Sequence, residues 1–338
     1  MTEEQVHSLK EEGYLPEGRQ VEKLTTTHIS WVLLCKDRVY KIKKPIALSF
    51  LDFSTLELRK FYSEEELRLN QRLCKDIYLS VLPIHQGSGG WRIGEGEGPV
   101  MDYALEMRRL DNSCEMDVLL AKGEVGTKDM DHVLKVLVPF HQKAEVMKNK
   151  VTSDALFKDF ADLRQIQGFI MDTLGPEAEK RLLDSIAMVK DFLEEKSALL
   201  LKRDQEGFVR DGHGDLHSGN IFLLEEPVLF DCIEFNPHFR QIDLLNELAF
   251  FTMELEFAGR RDLSDYFIAG YNGLFPVMRN AEEEALYLFY KLYRANVRVK
   301  VNAIQCQGAE SEEERQEHLA LFKAYFQLFS SYSSRLTT

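Results

Sequence analysis

Asp211-Gly212-His213-Gly214-Asp215-Leu216-His217-Ser218-Gly219-Asn220, continued by Ile221-Phe222-Leu223-Leu224 and then by Val228-Leu229-Phe230-Asp231-Cys232-Ile233-Glu234, is the stretch on which the reading of this chain turns. Polar groups crowd into a loop, an apolar strand follows, Glu225-Glu226-Pro227 makes a turn, and an acidic residue closes a second strand. Any one of these Gly, Asp, Asn or Ser residues is explained by its turn preference alone. The set is harder to explain that way. Phosphoryl transfer needs a carboxylate beside the acceptor hydroxyl, and a neutral oxygen with a second carboxylate to hold magnesium against the phosphates. Asp215, Asn220 and Asp231 supply those groups in an order that a loop and a hairpin can bring together.

On the N-terminal side, residues 1 to about 110 read as β-rich with one helix. Residues 21–34 and 38–43 alternate and are β-branched around Cys35-Lys36-Asp37, which predicts a hairpin. Residues 55–73 place Leu56, Leu67, Leu69 and Leu73 among charges, as an exposed amphipathic helix does. Residues 80–85 and 100–107 are further strands. The glycines from Gly87 to Gly98 read as hairpin turns rather than a phosphate loop, because no helix N-terminus follows them. Beyond residue 111 the periodicity is helical over 128–146, 155–174, 176–201, 243–257 and 282–303. The prediction is an α+β fold of two lobes with a cleft, the small β-rich lobe over 1–108 and the larger, mainly helical one over 109–338.

Bulk properties narrow the function. The chain has 338 residues, 44% hydrophobic and 29% charged, which is ordinary globular composition. Its formal net charge of −14 argues against a nucleic-acid partner, since phosphate-backbone affinity rests on clustered Lys and Arg. The five cysteines are scattered with no C-x-x-C pair, so neither a disulfide framework nor a zinc site is expected. Residues 1–13 are acidic without the apolar core of a secretory signal, and no apolar run approaches the ~20 residues of a membrane helix. A cytoplasmic location and no membrane partner are expected; the oligomeric state is not legible.

The run His213-Gly214-Asp215-Leu216-His217-Ser218-Gly219-Asn220 resembles the catalytic-loop signature of the aminoglycoside phosphotransferase and choline kinase superfamily, whose fold is that of protein kinases. The resemblance covers roughly residues 20–300. It implies that Asp215 positions or deprotonates a substrate hydroxyl, that Asn220 and Asp231 ligate magnesium, and that ATP is the donor. No His-Arg-Asp, Asp-Phe-Gly or Ala-Pro-Glu occurs, which makes a protein substrate less expected. Glu234, three residues past Asp231, has near analogues in choline kinases; a place in the metal's outer shell and an anchor for a neighbouring loop both stand open. More narrowly, residues 39–45 and 231–236 resemble an uncharacterised bacterial group in the superfamily. Some members of that group carry an added P-loop ATPase domain, for which this chain has no Gly-x-x-x-x-Gly-Lys-Ser/Thr motif.

A kinase-like reading also requires a strand lysine aimed at the phosphates and a helix glutamate to pair with it. Alternate strand residues share a face, so Lys41 and Lys43 point the same way, with Lys41 the first choice and Lys43 the reserve. Among Glu64, Glu65 and Glu66, the last lies beside the buried stripe and is preferred. The phosphate-covering loop is expected at 24–30, where Thr26, Thr27, His28 and Ser30 stand in place of glycines. Adenine is expected at a hinge near Glu106, Met107 and Arg108, through backbone groups.

Outside these roles, Asp243 is expected to cap a helix, His141 to be a packed core histidine, and Arg294 and Arg298 to form a solvated helix face rather than to receive an anionic substrate group. The expected activity is transfer of the ATP γ-phosphate to a hydroxyl of a sugar-, aminoglycoside- or amino-alcohol-like small molecule. A nucleotide-binding regulator without turnover and an adenylyl-transferring enzyme are the alternatives.

Overall fold

The computed structural model describes residues 1–48 and 50–337. The chain divides into two compact units, one formed by Met1–Leu119 with Gly219–Phe239, the other by Leu120–Ser218 with Arg240–Thr338. The β-rich and helical regions are those the sequence predicts. The first unit runs past residue 108, and it reclaims the segment 219–239 from the C-terminal part of the chain.

In the first unit, β1 (Val21–Thr26), β2 (Ser30–Cys35), β3 (Arg38–Lys43), β6 (Tyr78–Gly87), β7 (Gly90–Ile93) and β8 (Val100–Arg108) form an antiparallel sheet in the order β1-β2-β3-β8-β6-β7. A small hairpin of β4 (Ala47–Leu48) and β5 (Leu51–Asp52) follows β3. The expected single arm over 21–34 is thus two strands joined at Thr27–Ile29. Gly87 and Gly90 close the β6–β7 hairpin, Gly90 with a φ of 98° that favours glycine.

Strand alternation sorts the residues of β3. Tyr40 and Ile42 enter a core with Trp31, Leu33, Trp91 and Ile93, joined by Val6 and Leu9 of α1 (Glu3–Glu12), and this leaves Lys41 and Lys43 on the opposite face. The helix α2 (Leu56–Asn70) starts on Thr55, whose hydroxyl accepts from the Leu58 N–H at 3.2 Å. Its buried residues are Arg59, Ser63, Glu66, Leu69 and Asn70, a largely polar stripe at helical spacing. Arg59 is held there by Asp102 of β8 at 2.9 Å.

The second unit is built on helices: α3 (Met116–Ala121) leads into it, then α4 (Thr127–Lys143), α5 (Ser153–Ala161), α6 (Gln167–Leu174), α7 (Pro176–Glu195) and α8 (Ser197–Glu206). The predicted helix over 155–174 is interrupted by a tight turn at Asp162–Ile166. Gly175, with φ 86°, ends α6, and Pro176 opens α7, as their backbone preferences dictate.

Two short pairings punctuate the rest of the chain. In the second unit β9 (Val209–Asp211) pairs with β12 (Gln241–Asp243); in the first, β10 (Ile221–Phe222) pairs with β11 (Val228–Leu229). After α9 (Pro237–Arg240) come α10 (Leu244–Phe257), α11 (Arg261–Leu274), α12 (Ala281–Gly308) and α13 (Glu312–Leu336). The helix α10 is buried from Leu244 to Leu255, and Asp243 caps it as expected, accepting from the Leu245 N–H at 2.8 Å. No helix among the described residues is long and apolar enough to cross a membrane.

Candidate active site

In the first unit five charged side chains form a chain of contacts. Lys41 Nζ donates to Glu66 Oε1 and to Asp231 Oδ1, each at 2.8 Å. Lys43 Nζ donates to Glu66 Oε2 at 2.6 Å and to Glu234 Oε1. The two lysines share a face, as strand alternation requires, and both reach Glu66 rather than one alone. Glu64 and Glu65 instead pair with Lys60 and Arg68 on the outer surface of α2. The Lys43 side chain is almost fully buried, and the Lys41 side chain is 16% exposed. Burial opposes the charge on both lysines, but Asp231, Glu66 and Glu234 outweigh it and hold their pKa values above the usual one. Burial likewise opposes ionisation of Glu66, yet the two ammonium groups bring its carboxyl down to about 2. Glu234 therefore meets Lys43 as a buried partner.

Asp231 is held in an uncommon backbone conformation for a non-glycine residue, φ 64°. Its N–H donates to the Tyr78 phenol oxygen at 3.1 Å, and the next N–H, of Cys232, donates to Asn70 Oδ1 at 2.9 Å. Asn70 Nδ2 in turn donates to the Glu66 carbonyl at 2.9 Å, so the last turn of α2 fixes both the lysine partner and the backbone around Asp231. Neither Asn70 nor Tyr78 carries a motif signal. Their roles depend on pairings 153 and 162 residues apart in the chain.

The Asn220 carbonyl accepts from the Phe230 N–H at 3.1 Å, so the β10–β11 hairpin sets Asn220 beside the residue preceding Asp231. The Asp231 side chain is 40% exposed, and its Oδ2 has no hydrogen-bond partner among the described residues. An amide and an uncommitted carboxylate oxygen are hard donors of the kind magnesium takes, with phosphates completing its shell. The residues present therefore fit the metal that the sequence implied.

The other expected nucleotide contacts are placed as follows. Thr27 ties its own turn, with its N–H and hydroxyl donating to the Ser30 carbonyl at 2.9 and 3.2 Å and its Oγ accepting from the Ser30 N–H at 3.0 Å. Thr26 ends β1, His28 is exposed at the turn, and the Ser30 hydroxyl is buried without a partner. Glu106 and Met107 lie inside β8, in register with β3 on one side and β6 on the other. The side chain of Glu106 accepts from Tyr40 and Ser80 at 3.2 and 3.0 Å. These two residues are therefore committed to the sheet, and the strand ends only at Arg108.

In the second unit the loop after β9 is suspended from α10. Both oxygens of Glu247 are used: Oε2 accepts from the N–H groups of His213 and Gly214 at 2.8 and 2.7 Å, and Oε1 meets His141 Nε2 at 2.6 Å. His141 Nδ1 lies 2.8 Å from the Tyr271 hydroxyl, so His141 is the packed histidine expected. Burial opposes the Glu247 charge, but the His141 contact and the loop N–H groups bring its carboxyl down to about 2. A Cβ at Gly212 would stand 2.5 Å from Glu247 Oε2, so only glycine lets the loop pass this close.

Asp215 has a side chain 36% exposed, with His217 Nε2 3.5 Å from its Oδ2. Burial pushes its carboxyl up, and His217 and Arg298 more than offset this, leaving it well below the usual carboxylate range. Arg294 and Arg298 are a correction to the sequence reading. Arg294 is buried, bonded to Asn246 Oδ1 at 2.7 Å and to the Gly214 carbonyl at 3.2 Å, and Arg298 pairs with Glu254 at 2.9 Å. Spacing alone showed a shared face but could not show that α10 covers it.

The fold is shared with solved structures of an ethanolamine kinase, a choline kinase and an aminoglycoside phosphotransferase. Choline kinase from Cryptosporidium parvum superposes with a TM-score of 0.55 at 11% identity, over 99% of this chain and 97% of that one. A glucosamine kinase bound to glucosamine, ADP and inorganic phosphate gives 0.53 at 11% identity, over 94% and 82%. In sequence, uncharacterised proteins of Mycobacterium tuberculosis and Mycobacterium bovis are 32% identical over 296 residues, 85% of this chain. The match takes in 55% of the length of those relatives, so the chain spans about half of them. No family model matches the chain.

Proposed function

We propose that the protein is an ATP- and magnesium-dependent phosphotransferase acting on the hydroxyl of a small molecule. The observation that carries this reading is Lys41, bridged between a helix glutamate and the carboxylate of Asp231. With a metal held at Asp231, such a lysine would turn its charge towards the phosphates. Asn220 and Asp231 would hold the metal, which supplies neutralisation of phosphate charge. Asp215, ionised and partly exposed, orients the acceptor hydroxyl. The acceptor oxygen bonds to the γ-phosphorus, the bond to the ADP oxygen breaks, and the hydroxyl proton passes to Asp215. The kinases that share the fold act on choline and glucosamine by their names, and they support a hydroxyl acceptor here.

The test is calorimetric titration with ATP, with and without magnesium, on the wild type and Asp231→Asn. Magnesium-dependent binding that the variant weakens at least about tenfold, ~1.4 kcal/mol, is the expected result. Equal affinity in the two proteins would remove Asp231 from the metal site and with it the reading.

A further inference from the structure

The second unit holds a feature that the transfer chemistry leaves unused. Phe250 of α10 has three neighbours on its ring: His217 at 5.4 Å between centroids, and the guanidinium groups of Arg294 at 4.7 Å and Arg298 at 5.1 Å. His217 is the residue beside Asp215. Arg294 is spoken for by Asn246 and Gly214. Arg298, one helical turn further along α12, is not. Its Nε donates to Glu254 Oε1 at 2.9 Å, and Glu254 is itself fixed by the Tyr325 hydroxyl at 3.0 and 2.9 Å. The guanidinium is thereby anchored through one nitrogen, while its two terminal amino groups have no hydrogen-bond partner among the described residues. The side chain remains 21% exposed.

We infer that Arg298 receives an anionic group of the phosphoryl acceptor, so that the substrate is an alcohol carrying a carboxylate or a phosphate. An arginine held by Nε with its terminal nitrogens open presents the planar fork that binds those two groups bidentately. A cationic amine acceptor, by contrast, would place its charge beside that of Arg298. The influence of Arg298 on the Asp215 carboxyl agrees with their being neighbours. The net charge of −14 does not oppose this, because charges beyond about 8 Å are screened at physiological salt and the local arginines decide. The inference rests on the phosphotransferase reading and adds the acceptor's charge.

The experiment measures ADP release from MgATP with D-gluconate, D-glycerate, glycerol 3-phosphate and glucose 6-phosphate. Their uncharged counterparts, glucose and glycerol, and the cation choline run in parallel, and MgATP binding is recorded on the same samples. Turnover with a member of the anionic set and not with its uncharged counterpart is expected, and the carboxylate and phosphate arms tell which anion fits. Arg298→Gln should raise KM for that acceptor by about tenfold or more, with kcat changed less than about threefold and MgATP affinity kept. Arg298→Lys, which keeps the charge opposite Glu254, should fall between. Turnover of glucose, glycerol or choline at equal or better kcat/KM overturns the inference while leaving the kinase reading intact. Bound MgATP without turnover of any anionic compound also overturns it. Failure to bind MgATP at all removes the kinase reading, and this inference with it.

Discussion

Lys41 and Lys43 share a strand face and a glutamate, yet their surroundings give them different work. Removing Lys43 would leave Glu66 and Glu234 facing each other in a buried site with one ammonium fewer, and an unpaired buried charge costs about 3–5 kcal/mol. Lys43→Ala is therefore expected to lose that much stability in urea unfolding. Lys41→Ala should lose less, because Asp231 is open to water and Glu66 keeps Lys43; its deficit should show in MgATP affinity, at least about tenfold. The reverse pattern would assign the phosphate contact to Lys43. At this scale much was legible. Period-two alternation put both lysines on one face, and the helical stripe singled out Glu66. What was not legible is the polar clamp of Asn70 and Tyr78 on residues 231–232, because no local pattern marks a side chain whose partner lies in a remote part of the chain.

The elements of the second unit hang the loop after β9 from one carboxylate of α10, and this arrangement has a pH signature. Glu247 has a carboxyl near 2 in the folded chain against an ordinary 4.5, so it binds its proton more weakly when folded. The sign follows: its contribution is complete above the ordinary value and is lost as pH falls from there towards 2, and it is on the order of 3 kcal/mol. Glu247→Gln should be less stable than the wild type by about that amount at neutral pH. The gap should narrow as pH falls below about 4.5 and close only near pH 2, measured by urea unfolding across the range. Parallel acid slopes for the two proteins would show that Glu247 is not the group responsible. Glu247 lies in the helix that the sequence predicted over 243–257, and Asp243 was read correctly as its cap. The pairing of β12 with β9, which brings the start of α10 under the loop, was not readable, since three-residue strands carry too little pattern to register. The same omission hid the cover that α10 gives Arg294 and Arg298.

For the whole molecule the division into two compact units matters more than either core taken alone. The residues proposed to hold the metal and the two lysines belong to the unit that contains the sheet, although Asn220 and Asp231 lie more than 100 residues beyond the last strand of that sheet. Composition and periodicity located the change from strand to helix near residue 110, but they could not show that the chain returns to the first unit over 219–239. A ligand that binds only the folded state stabilises it by about 2.7 kcal/mol at a hundredfold excess over its dissociation constant, and amides that exchange through opening of its binding region slow by up to about 100-fold. MgATP at that excess should therefore slow hydrogen exchange in α2 and in residues 228–235, where Glu66, Asn70 and Asp231 are linked. Asp231→Asn at the same concentration should show little of this protection. If the variant were protected as strongly as the wild type, nucleotide would be binding without the carboxylate, and the link from β3 through α2 to Asp231 would be a structural brace and no more. If protection appeared in α13 and not in α2, the nucleotide would be bound by the helical unit, and the phosphate contacts assigned to Lys41 would have to be sought there.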